Sequence, residues 1–456
     1  MSEKSQWGSK IGFILASAGS AIGLGAVWKF PYMTAANGGG SFLLVFLIFT
    51  LLIGLPLLLA EFVLGRGAAV SAVKTFGKLG KNKKYNIFGI IGAFALFVLL
   101  SFYSVIGGWI LVYLGISIAD ALGIYSTSDY VALFSTIISN PWIALGAQAM
   151  FILLNVLIVS RGVQKGIERA SKIMMPMLFI IFLIIITRSL TLPNSMAGVT
   201  YFLKPDFSKI TTSGLLFALG QSFFALSIGV TAMLTYASYL NKQVNMVQSG
   251  VSVVIMNIAV SIMAGLAIFP AMSSFGMESE GGPSLLFIVL PQLFNNMAFG
   301  KIFYILFLIL FLFATITSSV VMLEINVGNL TDQKNTNRTK WSVIVGILTF
   351  VFGIPSALSY GTLANTLFFG KTFFDSMDFL VSNILMPLGC LFLSIFTGYV
   401  LDKKVAMREL HVREDNKVSL GFFKAWLFLL RYVLPIIIAI ELNRSEERRV
   451  GKECRS

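Results

Sequence analysis

Two short stretches of the chain put backbone polar groups where an apolar helix should hide them. Gly19-Ser20-Ala21-Ile22-Gly23-Leu24-Gly25 holds three glycines in seven residues of an apolar run, and each costs a helix about 1 kcal/mol relative to alanine. Ser227-Ile228-Gly229-Val230-Thr231, directly after Phe223-Phe224, is a second weak point. Unwinding there frees carbonyls and amides that lipid cannot satisfy, so they must face a protein-lined cavity. Amides at the start of a half-helix attract a carboxylate; carbonyls at the end of one attract a cation. One break therefore suits both ends of a zwitterion, or an anion and a sodium ion. Taken alone, Gly19-x-x-x-Gly23 reads more readily as a helix-packing face. The pairing favours a site: the interruptions fall in spans one and six, which correspond if spans one to five and six to ten are inverted repeats.

Other chemistry is sparse. Glu61 is an acid inside an apolar helix, costly there and a functional candidate by default; a supporting role, capping groups freed by the breaks, is favoured over proton carriage. Thr317-Ser318-Ser319 offers hydroxyls within the membrane, although such groups usually bond back to their own turn. Gly370-Lys371-Thr372 matches the end of a phosphate loop, but Asn365 stands where the earlier glycine is required, so no nucleotide site follows. The two cysteines, Cys390 and Cys454, build no disulfide framework, and the one histidine, His411, lies in a charged loop. No nucleophile–base set for an enzyme is present.

The elements that must position these groups are membrane helices. Of 456 residues, 57% are hydrophobic and only 12% charged, with a mean hydropathy of +0.86, which excludes a soluble domain. About eleven runs approach the roughly 20 residues a span needs: 11–36, 41–65, 87–122, 141–159, 173–187, 215–240, 251–269, 302–327, 341–354, 379–400 and 422–442. Their apolar content is all-round rather than alternating, which indicates helices and not a barrel. The net charge of +14 sits in clusters between spans, not on a nucleic-acid surface. Lys74–Lys84, Arg161–Lys172, Lys334–Lys340 and Lys403–Lys417 are basic, whereas 123–140 and 271–300 hold no Lys or Arg. Every second loop is basic, which puts the N-terminus in the cytoplasm. Lys4, Lys10 and the small residues Ala16-Ser17-Ala18 imitate a signal peptide, but the apolar run is short and cleavage is not expected. Residues 1–442 read as a single transporter domain: repeat one at about 11–188, repeat two at about 213–401, then helix eleven. The stretch 443–456 (NRSEERRVGKECRS) breaks abruptly from it and reads as a foreign or frameshifted tail.

The ordered set 19–31 (GSAIGLGAVWKFP), Asn37-Gly38-Gly39-Gly40, Gly65-Arg66, 165–169 (KGIER), 221–227 (QSFFALS) and 235–239 (TYASY) resembles the neurotransmitter:sodium symporter family, in particular its bacterial amino-acid branch. The likeness runs to about residue 440. It implies an all-α polytopic membrane protein with a leucine-transporter-like fold, two inverted five-helix repeats with helices 1 and 6 broken mid-membrane, and uphill uptake coupled to sodium in the cytoplasmic membrane, as a monomer or homodimer.

The resemblance assigns residues. A second sodium site takes carbonyls of Gly19, Ile22 and Ala314 and hydroxyls of Thr317 and Ser318, a neutral oxygen shell suited to a hard ion. The first sodium site is degraded: Ala26 and Ala225 stand where the family has side-chain oxygens, leaving Asn257 with the carbonyls of Ala21 and Ala225. Coupling dominated by one sodium ion is the expectation. Chloride dependence stays open, because Gln221, Asn257 and Ser261 suit a chloride cage while Phe46 and Ala225 lack its usual hydroxyls. Amides around Leu24 and Gly25 with the Tyr103 hydroxyl would bind a carboxylate; carbonyls of Ala21 and Phe224 with Ser227 would bind an ammonium. Gly23 replaces the aspartate of monoamine carriers, so the substrate should bring its own carboxylate. Leu99, Tyr103, Phe224, Val230, Ser318 and Met322 would form a mostly apolar wall for a hydrophobic side chain. Lys29 would pair with Asp378 as an outer gate, and Lys4 and Trp7 would latch to Asp332 inside. Rival readings are proton coupling through Glu61 and a transport-inactive amino-acid sensor.

Overall fold

The computed structural model describes residues 6–126, 129–276, 285–331, 337–368, 370–412 and 415–453, with side chains to residue 443. Among them nine helices are long and apolar enough to cross a membrane: Gly40–Ala68, Lys83–Ala121, Pro141–Ser160, Val163–Leu190, Met246–Ser274, Gly300–Leu330, Arg338–Ala357, Phe373–Val400 and Lys417–Asn443. The pair Lys10–Ala21 and Gly25–Ala36 makes a tenth crossing, bent by 49°. The remaining apolar run lies in two pieces, Thr212–Leu226 and Ala232–Ser238, with 227–231 outside any helix. All eleven expected runs are thus helical, and the interrupted ones are the first and sixth.

Local sequence sets where these helices begin. Ser9 caps the first by accepting from the Gly12 amide at 3.0 Å. Asn140 caps the fourth through the Trp142 and Ile143 amides, ahead of Pro141, whose missing N–H is harmless at that position. Thr211 caps the sixth through Gly214.

Some boundaries differ from the sequence reading. Lys165, Arg169 and Lys172 lie inside the fifth helix rather than ahead of it, and Arg338 and Lys340 open the ninth. Their long side chains reach the polar boundary from within a helix, so hydropathy trims such ends. The non-basic loops also hold helices, Tyr130–Ser139 and Leu285–Asn295, too short to span. The last helix continues in backbone to Glu453.

Burial is uneven. In the most apolar window of each span, 78% of Lys83–Ala121 and 72% of Gly300–Leu330 is buried, against 22% of Lys417–Asn443. The third and eighth helices therefore form the interior and pack along each other, while the eleventh is peripheral. A Cβ on Gly65 would sit 2.0 Å from the Leu234 carbonyl oxygen. Only glycine lets the second helix press this closely on the second half of the sixth, which carries Glu61 to the break from one turn earlier on the same face.

Candidate site at the paired helix breaks

The first helix ends at Ala21, and Ile22 (φ −90°, ψ 76°) leaves the helical region. The chain re-enters through a π-helical turn, Gly25–Lys29. Freed carbonyls must find donors, and neighbouring helices supply them. Ser318 on the eighth helix donates to Gly19 O and Ser20 O, both at 3.0 Å. Ser227, in the opposite break, donates to Ser20 O at 3.1 Å. Asn257 on the seventh helix donates to Ala21 O and Ala225 O, and Gln221 on the sixth donates to Gly25 O at 2.7 Å. The Leu24 amide donates to the Tyr103 hydroxyl at 3.3 Å.

The sixth-helix break has the opposite need. Ser227, Gly229 and Thr231 all take positive φ (52°, 84° and 62°), and the following half-helix exposes its first amides. The Glu61 carboxylate accepts from Gly229 N at 2.8 Å and Leu234 N at 2.9 Å, one through each oxygen. Glu61 is 1% exposed, so these two bonds are a large share of its solvation. A carboxylate facing the amino end of a half-helix is the favourable electrostatic arrangement.

Gly19, Ala314, Thr317 and Ser318 come together between the first and eighth helices. A Cβ on Gly19 would lie 2.9 Å from Thr317 Cβ, and Thr317 Oγ1 bonds the Ala314 and Phe313 carbonyls at 3.0 and 2.9 Å. Ile22, whose carbonyl completes the expected shell, is fully buried at the break. The hydroxyls spend their protons on carbonyls, so their lone pairs are the electrons left for an ion.

Gly23 lies where the third and eighth helices close on the first break: a Cβ there would lie 2.3 Å from Ser318 Oγ and 2.7 Å from Tyr103 Oη. A Cβ on Gly25 would touch the Phe224 ring at 2.9 Å. Leu99, Val230 and Met322 are buried. Leu99 lies one turn before Tyr103 and Met322 one turn after Ser318, on the same helix faces. To one side, Lys29 Nζ lies 3.6 Å from Asp378 Oδ1, 3.2 Å from Ser382 Oγ and 4.5 Å above the Phe224 ring. A cavity of about 210 Å³ opens here, lined by Lys29, Tyr32, Gln221, Phe224 and Asp378. Ser261 donates to Asn257 O at 3.0 Å, and Phe46 packs on Phe30 at 4.8 Å between ring centroids.

At the opposite end, Trp7 Nε1 donates to Tyr236 O at 2.9 Å and Trp7 N to Tyr239 O. Lys4 and Asp332, the other expected latch residues, lie outside the described residues. Two contributors escaped the sequence reading. Ser20 supplies the carbonyl that ties the two breaks and the eighth helix together; its place between Gly19 and Ala21 was the available signal. Glu168, in the KGIER motif, accepts from Gly8 N at 2.7 Å and Ser9 Oγ at 2.9 Å and pairs with Lys172 at 2.6 Å, clasping the N-terminal segment.

Comparison with known proteins agrees with this geometry. The model of the Sodium:neurotransmitter symporter family matches residues 4–136 and 137–445. The uncharacterised sodium-dependent transporter YhdH of Bacillus subtilis is 49% identical over 435 residues, covering 95% of this chain and 96% of its own. The human sodium- and chloride-dependent taurine transporter is 26% identical over 421 residues, with 80% and 68% covered. The crystal structure of MhsT in complex with L-phenylalanine superposes with a TM-score of 0.89 at 39% identity, covering 97% of this chain and all of that one. A polytopic helical protein with paired breaks in its first and sixth helices, matched by that family along nearly its whole length, is a transporter and not an enzyme: the chain belongs to the sodium:neurotransmitter symporter family.

Proposed function

We propose that the chain imports an amino acid with a hydrophobic side chain across the bacterial cytoplasmic membrane, by alternating access, driven by sodium entering with it. One observation carries this reading. Gly23 brings neither a side chain nor a charge to the point where Tyr103 Oη and Ser318 Oγ close on the first break. The substrate must then supply its own carboxylate, which excludes a simple amine. The binding of L-phenylalanine by MhsT supports the same substrate class. The Gly19, Ile22, Ala314, Thr317 and Ser318 oxygens are the sodium site in this reading, and each net charge moved inward gains about 2.3 kcal/mol per 100 mV.

Leu24 N and Tyr103 Oη, bonded to each other here, would turn to the substrate carboxylate. The Phe224 carbonyl and Ser227 hydroxyl would take its ammonium. Lys29 and Asp378 would close the outer side and the Trp7 segment the cytoplasmic side, with the N-terminus inside, as the basic clusters require. Proton coupling through Glu61 is disfavoured because both its oxygens are already committed to backbone amides. Chloride coupling is disfavoured because the amide nitrogens of Gln221 and Asn257 and the Ser261 hydroxyl all donate to carbonyls, leaving an anion few donors.

Competition of sodium-driven uptake by each of the twenty amino acids in proteoliposomes tests the substrate class. Phenylalanine, tryptophan, leucine or tyrosine should compete best; competition by amines alone would contradict the reading. Replacing chloride by gluconate should leave uptake unchanged.

A further inference from the structure

Asn257 stands where the two breaks cross, fully buried. Its Nδ2 donates to Ala21 O at 3.1 Å and to Ala225 O at 2.8 Å, while its Oδ1 is buried with no hydrogen-bond partner among the described residues. Gln221, one helical turn before Ala225, repeats the pattern: Nε2 donates to Gly25 O at 2.7 Å and Oε1 has no such partner.

Chemistry fixes which way the Asn257 amide faces. A carbonyl oxygen only accepts, so an amide oxygen 2.8 Å from it would set acceptor against acceptor unless a cation lay between. Sodium, close to calcium in size, takes oxygens at roughly 2.3–2.6 Å. Two oxygens at right angles around it would stand about 3.4 Å apart. The separation seen here suits an N–H donor and is too short for a shared ion. Ala26 and Ala225 add no side-chain oxygen that could compensate.

We propose that the Asn257 amide nitrogen is a built-in donor occupying the point at which a cation would otherwise bridge the Ala21 and Ala225 carbonyls, so that one sodium ion accompanies each amino acid. The inference rests on the symport reading and sharpens it. The cation in this chain binds between the first and eighth helices only. The donor travels with the protein, so the Ala21 and Ala225 carbonyls keep a hydrogen-bond partner whether or not sodium is present.

Binding of radiolabelled sodium to the purified protein tests this directly and needs no knowledge of the substrate. One ion per chain is expected, and two would overturn the proposal. In proteoliposomes the Hill coefficient for sodium-driven uptake should be near one, as should the ratio of charge to amino acid; values near two would overturn it while leaving symport intact. Complete absence of sodium-driven uptake would instead remove the symport reading, and this inference with it. Restoring oxygens with the paired substitution Ala26→Asn and Ala225→Thr should add a second bound sodium and raise the Hill coefficient towards two. Asn257→Asp, which exchanges the donor for an acceptor, gives an independent variant with the same expected gain. If either variant binds a second sodium, the donor account holds; if both fold, transport and still bind one, it is overturned.

Discussion

The two breaks lie side by side, yet each is held by the opposite chemistry. At the first, the exposed groups are carbonyls, and four neutral side chains, Ser227, Ser318, Asn257 and Gln221, reach them from three neighbouring helices. At the second, the exposed groups are amides, and one carboxylate, Glu61, takes two of them. Neutral hydroxyl donors keep lone pairs for an arriving ion, so the first break can exchange partners during a cycle. A buried carboxylate spent on two amides has little to exchange, so the second break is expected to hold its partners. In the proposed function, the contrast separates a site that loads and unloads from a support that does not.

Breaking the support should have the largest effect. Glu61→Gln turns an amide N–H₂ onto one of the two backbone N–H groups, and charge-assisted bonds of this kind are worth about 1.5–3 kcal/mol. Uptake should fall to background and the melting temperature in detergent should drop by roughly 5 °C. Full sodium-driven uptake by this variant would remove the distinction between the breaks.

Gly23→Ala comes next, because its new methyl has only the space held by Ser318 and Tyr103. Overpacking of about 1–3 kcal/mol corresponds to a roughly 5- to 150-fold loss of amino-acid affinity, with the fold intact by circular dichroism. Unaltered affinity would place the substrate elsewhere.

Ser318→Ala removes the single hydroxyl donor that the Gly19 and Ser20 carbonyls share at the exchanging break, worth about 1 kcal/mol. The sodium concentration for half-maximal uptake should rise about fivefold, whereas the thermal stability of the sodium-free protein should change less than in Glu61→Gln. The smallest effect belongs to the gate. Lys29 and Asp378 are 3.6 Å apart with Asp378 38% exposed, and such pairs contribute about 0–1 kcal/mol. Asp378→Asn should lower uptake roughly two- to fivefold by the same measure, and undiminished transport would argue against the gate.

Sequence alone disclosed the breaks, because the two weak points fall in corresponding spans, the first and the sixth. The lining positions of the proposed site were named through the family motifs that carry them. What it hid is informative. The Ser20 carbonyl is a backbone group, and residue type does not say which carbonyl a remote serine will choose. The orientation of the Asn257 amide depends on two carbonyls that become neighbours only after both helices unwind. Glu168 read as one charge in a basic cluster, because its partners Gly8 and Ser9 lie some 160 residues earlier in the chain. The short helices Tyr130–Ser139 and Leu285–Asn295 were passed over because hydropathy windows sized for a membrane blur pieces of 10 or 11 residues.

The most direct test of the central claim is concentrative uptake of L-phenylalanine into proteoliposomes under an inward sodium gradient, repeated with choline in place of sodium at the same pH. Accumulation with sodium and none with choline is the predicted result. Accumulation in choline that follows an inward proton gradient would contradict the account.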